Sequence, residues 1–98
     1  MNAIGAWDVT LSTDKGPQSL QLFVTEQGNQ FTGRIESDLG NMDISGKVSG
    51  NTLSWDMKVK APLPVTVTVT ATIEGDQLSG SAKLGFFGKY QLAGRRAA

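Results

Sequence analysis

The 98 residues include nine basic and nine acidic side chains but no cysteine and no histidine; a chain of this length builds one core, not two. Disulfides, thiolate chemistry and imidazole acid–base or metal chemistry are therefore excluded. The balanced charge, whose one adjacent basic pair is Arg95-Arg96, leaves no electrostatic footprint for nucleic acid. The start, MNAIGAWDV, lacks the basic and apolar stretches of a signal peptide, and no run reaches membrane-spanning length. A single-domain cytoplasmic protein is expected, without nucleic-acid or membrane partners, cofactor or metal site.

Polar-apolar alternation fills the chain and no helical period appears. In chain order the pattern predicts eight strands over about 4–13, 17–27, 30–38, 41–49, 52–61, 64–74, 77–85 and 88–96. The sixth is the clearest, because Val65 to Ile73 alternate strictly and are mostly β-branched. Three breaks, Gly28-Asn29, Gly50-Asn51 and Gly75-Asp76, put glycine first, where a type II′ hairpin turn requires positive φ.

Counting outward from those turns predicts which residues face inward, since directly opposed residues share a face. The first hairpin pairs Glu26 with Phe31, Val24 with Gly33, Leu22 with Ile35 and Leu20 with Ser37. The second pairs Val48 with Leu53, Gly46 with Trp55, Ile44 with Met57 and Met42 with Val59. The third pairs Ile73 with Leu78, Ala71 with Gly80, Val69 with Ala82 and Val67 with Leu84. The opposite faces are polar, so each hairpin has one dry and one wet side. A flat sheet of this kind would expose its apolar face and both edges. Closure into an all-β, eight-stranded antiparallel up-and-down barrel removes both problems; a sandwich of two four-stranded sheets has the same pattern.

Gly5-Ala6-Trp7 on the first strand and Arg95-Arg96 on the last resemble the structural signature of the calycin barrels, the lipocalins and streptavidin-like proteins. The resemblance implies that one of the two arginines covers Trp7 at the closed base of the barrel. It implies the shape and these packing roles, not the ligand.

One end of such a barrel carries the tight turns and the termini. The other carries residues 13–17, 38–42, 61–64 and 85–88, where Leu39, Met42, Pro62, Leu63, Pro64, Phe86 and Phe87 would form an apolar rim. This second end is the expected mouth. Near the tight turns, Trp7 and Trp55 would plug the space left by Gly33, Gly46 and Gly80, and Glu26, the one inward charge, would pair with Arg95 or Arg96. Above the plug, Leu11, Val69 and Ala82 join the expected ligand-binding residues Leu20, Leu22, Ile35, Ser37, Met42, Ile44, Met57, Val59, Val67, Leu84, Phe86, Phe87 and Tyr90. Such a lining suits a small apolar or amphipathic molecule, with methionines for adaptability and Ser37 and Tyr90 to orient it.

Two alternatives remain open at this level. A small barrel enzyme, such as a cyclase, isomerase or hydrolase, would use Tyr90, Asp38 or Asp14 as acid or base without a metal. A filled barrel would act through its surface as an assembly module. The quieter Thr/Ser-rich outer face, which carries Phe23, is where a homodimer would form.

Overall fold

The computed structural model describes residues 3–13, 16–37, 40–59, 65–85 and 88–97, and the side chains of all of these but Val59 and Val65. Eight strands follow one another: β1 (Gly5–Thr13), β2 (Gly16–Gln27), β3 (Gln30–Ser37), β4 (Gly40–Ser49), β5 (Thr52–Val59), β6 (Val65–Glu74), β7 (Gln77–Leu84) and β8 (Lys89–Arg96). Each pairs antiparallel with the next, and β1 returns to pair with β8, so the sheet is a closed up-and-down barrel and not a sandwich. Closure leaves the alternating apolar side chains a common interior.

The turns differ in a way that matters for register. Gly50 and Gly75 have φ of 60° and 62°, and among the described residues no residue other than glycine has positive φ. Both turns therefore have positive φ at the first central residue alone, as type II′ requires. Gly28 does not have positive φ, and the first hairpin departs from the expected register. Val24 pairs with Gly33 as predicted, but a bulge between Val24 and Glu26 then sets Glu26 opposite Thr32 and Gln27 opposite Phe31. The extra residue, Thr25, reverses the facing of everything after it. Glu26 is consequently exposed, and the predicted inward charge at the base does not exist. Gln27 approaches the base instead, its Oε1 accepting from Ala3 N at 2.7 Å.

The third hairpin follows the predicted register throughout. The second follows it only from Ser49↔Thr52 to Gly46↔Trp55. Beyond that point β4 stays on β3, down to Ser37↔Gly40, and β5 stays on β6, up to Val59↔Val65. The predicted pairs of Ile44 with Met57 and Met42 with Val59 are not made, and a slot opens between the two strands toward the mouth. Leu20 likewise does not pair with Ser37, since the β2–β3 ladder ends at Gln21↔Glu36.

The core occupies the lower barrel. Trp7, Phe31, Leu22 and Leu53 are its largest fully buried side chains, and Phe31 meets Trp55 edge to face with ring centroids 5.5 Å apart. Such a contact adds about 0.5–1.5 kcal/mol to area burial. Gly33, Gly46 and Gly80 were expected to leave space for the indoles. Their main contribution is to let strands approach: a Cβ at each would collide with the carbonyl oxygen of Phe23, Ser54 and Thr70, respectively. Tightly coiled strands require such glycines.

Candidate ligand cavity

The base is sealed from β1 and β8. Trp7 and Arg96 are directly opposite in the β1–β8 ladder, so Arg96, rather than Arg95, covers the indole, with Cζ 4.4 Å from the ring centroid. Trp7 Nε1 donates to the Ala3 carbonyl at 2.9 Å. Arg96 donates from Nη1 to the Ile4 carbonyl at 2.9 Å and from Nε to Asp76 Oδ1 at 3.1 Å. Asp76, rather than Glu26, is thus its carboxylate partner.

Above this plug the barrel is hollow. A cavity of about 270 Å³ runs between β1, β2, β3 and β5 to β8, and its wall presents no polar atom. Of the predicted ligand-binding residues, Leu20, Leu22, Ile35, Met57, Val67 and Leu84 line it, together with Leu11, Val69 and Ala82 from the predicted interior. Trp55 forms part of the wall as well as of the base. Its Nε1 is buried without a hydrogen-bond partner, alone in this among the described side chains.

Other predicted residues stand elsewhere. Ile44 is buried in the core but is not part of the wall. Met42 is 37% exposed, because the slot removes the β5 neighbour that would have covered it. Ser37 is half-buried, and its Oγ donates to the carbonyl of Gly40, its partner in the β3–β4 ladder, at 3.3 Å. Tyr90 lies opposite Ala82 and is half-buried, but does not reach the cavity wall. Asp14, Asp38, Leu39, Pro62, Leu63, Pro64, Phe86 and Phe87 lie outside the described residues, as does the side chain of Val59. The expected rim is therefore not described apart from Met42.

Val9, Leu78 and Leu92 line the cavity but are absent from the predicted set. Alternation in β1 and β8 was the available signal: Val9 lies between Trp7 and Leu11, and Leu92 is next inward after Tyr90. Its pairing with Ile73 sets Leu78 near the tight-turn end, yet it bounds the cavity.

Two wider depressions, about 570 and 520 Å³, lie on the outside of the wall and share the outward residues Asp8 and Thr10. Both are open surface relief of mixed polarity rather than part of the interior. Among the described residues no group of three acidic side chains is placed to hold a metal ion, and no helix is long and apolar enough to cross a membrane. On the outer face Phe23 is half-buried beneath Arg34, whose Cζ is 4.7 Å from the ring centroid.

No protein-family model and no curated protein sequence matches this chain. Its fold is similar to that of a redesigned β-barrel at a TM-score of 0.74 and 15% identity, covering 97% of this chain and 91% of that one. A second redesigned barrel, mFAP1 bound to DFHBI, aligns at 0.68 and 14% identity over 96% and 94% of the two chains. Fatty-acid-binding protein 1 of Echinococcus granulosus aligns at 0.66 and 13% identity over 98% of each. At these identities the likeness is one of architecture: the chain has the eight-stranded up-and-down barrel of the calycin type.

Proposed function

We propose that the barrel binds a small apolar or amphipathic molecule, taken in through the end formed by residues 13–17, 38–42, 61–64 and 85–88. The observation that carries this reading is the wholly apolar cavity of about 270 Å³ above the Trp7 plug. A gap of this size in a barrel that eight strands could have filled costs the packing contacts its lining lacks. A guest restores them. The similar architectures of a fatty-acid-binding protein and of a barrel bound to DFHBI support the reading.

In this reading Leu20, Leu22, Ile35, Met57, Val67 and Leu84 contact the guest, Ser37, Met42, Val59, Phe86, Phe87 and Tyr90 belong to its approach, and Ile44 packs in the core. The protein acts in the cytoplasm as a carrier, needing no cofactor. Self-association through the face with Phe23 is part of the same proposal, and it would require Arg34 to leave the ring it covers.

The test is binding of an environment-sensitive hydrophobic dye. One equivalent should bind and quench Trp55, and Ala82→Phe or Met57→Trp, each filling the cavity, should abolish binding. Unchanged dye binding in both folded variants would place the site elsewhere.

A further inference from the structure

We propose that the guest is an uncharged molecule of about ten non-hydrogen atoms, enclosed whole, and that a carboxylate is rejected from the cavity; this rests on the binding reading above. Size follows from volume. An apolar cavity of about 150 Å³ holds a benzene ring, and in proportion about 270 Å³ holds roughly ten carbon atoms. Long-chain lipids therefore do not fit with the whole chain inside.

Charge follows from the wall. Every cavity-lining side chain is apolar or the indole of Trp55, and no polar atom reaches the cavity surface. Among the described residues no charged side chain is buried. Glu26 is turned outward by the bulge. Arg96 lies beyond the plug, engaged with Trp7, Ile4 and Asp76. Among the described residues the one buried side-chain donor without a partner, Trp55 Nε1, is a neutral N–H that does not reach the cavity surface. A single neutral donor cannot replace the hydration of an anion, for which burial without a paired cation is heavily unfavourable. A carbonyl, ether or hydroxyl oxygen gives up only the hydration of a neutral group, a far smaller loss than that of an anion.

The experiment uses four probes with the full chain. Naphthalene reports binding through its own fluorescence. A ketone, 4-ethylacetophenone, and the carboxylate of the same size and shape, 4-ethylbenzoate, compete with it at neutral pH; pyrene tests the size limit. Naphthalene should bind at one equivalent, the ketone should displace it, and the carboxylate should do so about 100-fold or more weakly. Pyrene should not bind. NMR contacts between naphthalene and the methyl groups of Val67 and Val69 should place the probe inside the barrel, without relying on a substitution that could unfold it. If 4-ethylbenzoate competes as well as the ketone, or pyrene binds as tightly as naphthalene, the inference is overturned while the cavity remains the binding site. If neither naphthalene nor the ketone binds inside the barrel, the binding reading fails, and the inference with it.

Discussion

Arg96 stacks its guanidinium on Trp7 from the directly opposing position in the β1–β8 ladder, so the residue that closes the barrel's base is also the one that joins its last strand to its first. The two contributions can be separated. Asp76 is 83% exposed, and exposed ion pairs contribute little. The stacking on a fully buried indole and the bond to the Ile4 carbonyl should dominate. Arg96→Ala is expected to destabilise by about 1–2 kcal/mol in urea or guanidinium melts. Arg95→Ala, at an exposed position, should stay within about 0.5 kcal/mol, as should Asp76→Asn. Equal losses for the two arginines would contradict this assignment.

Glycine substitutions should sort by what the new Cβ meets. Gly80→Ala would drive its methyl into the Thr70 carbonyl and toward Ala71, costing about 1–3 kcal/mol or more. Gly28 has open space and no positive φ, so Gly28→Ala should be within about 0.5 kcal/mol of wild type. Gly50→Ala also meets nothing, but its φ of 60° should cost about 1 kcal/mol through the backbone alone. Melting all three variants would show whether close strand approach outweighs turn strain.

Trp55 offers a test of its unpartnered N–H. Removing the whole side chain in Trp55→Ala should cost about 3–5 kcal/mol. Trp55→Phe loses some volume but also removes a buried donor that bonds to nothing, an arrangement that carries a penalty of about 1–3 kcal/mol. The two effects oppose, so Trp55→Phe should change stability by less than about 1.5 kcal/mol. A loss matching that of Trp55→Ala would mean that the N–H finds a partner in solution.

The slot between β4 and β5 should be visible in amide exchange. Backbone groups of Met42 to Ser45 and of Asp56 to Lys58 that face the slot have no ladder partner across it, whereas β6 and β7 pair along eight positions. Exchange in the slot should run well ahead of that in β6 and β7, reflecting local opening rather than global unfolding. Uniform protection around the barrel would show the β4–β5 ladder closed in solution.

What the sequence made legible, and what it hid, follows from how far each signal reaches. Alternation and glycine-first turns are local, and they located all eight strands and the complete register of β6 with β7. The bulge is a single residue, Thr25, inside a run that still alternates plausibly on either side. Only the tertiary demand that Phe31 be buried against Trp55 reveals that Gln27, not Glu26, lies opposite it. The slot is less local still, because β4 and β5 each carry a good inward pattern, and whether they meet depends on the coiling of the other strands. The cavity was legible as an apolar lining but not as a void, since identical side chains can fill or surround a space. Strict alternation carried through β1 and β8 would have added Val9 and Leu92. Arg96 could have been chosen over Arg95 by continuing the inward count from Tyr90.

The outward charges of β4 and β5 acquire a meaning from that slot. A closed barrel has no strand edge for another chain to join, but here, among the described residues, two stretches have no ladder partner across the slot, Gly40–Ser45 of β4 and 56–59 of β5. They are bordered by the exposed Asp43, Asp56 and Lys58, and charges beside an open edge oppose strand addition because docking would strip their hydration. Charges so placed disfavour the docking of another strand at this seam of the described ring. Replacing all three with neutral residues is expected to raise self-association, read as a concentration-dependent increase in mass by light scattering, with the melting transition retained.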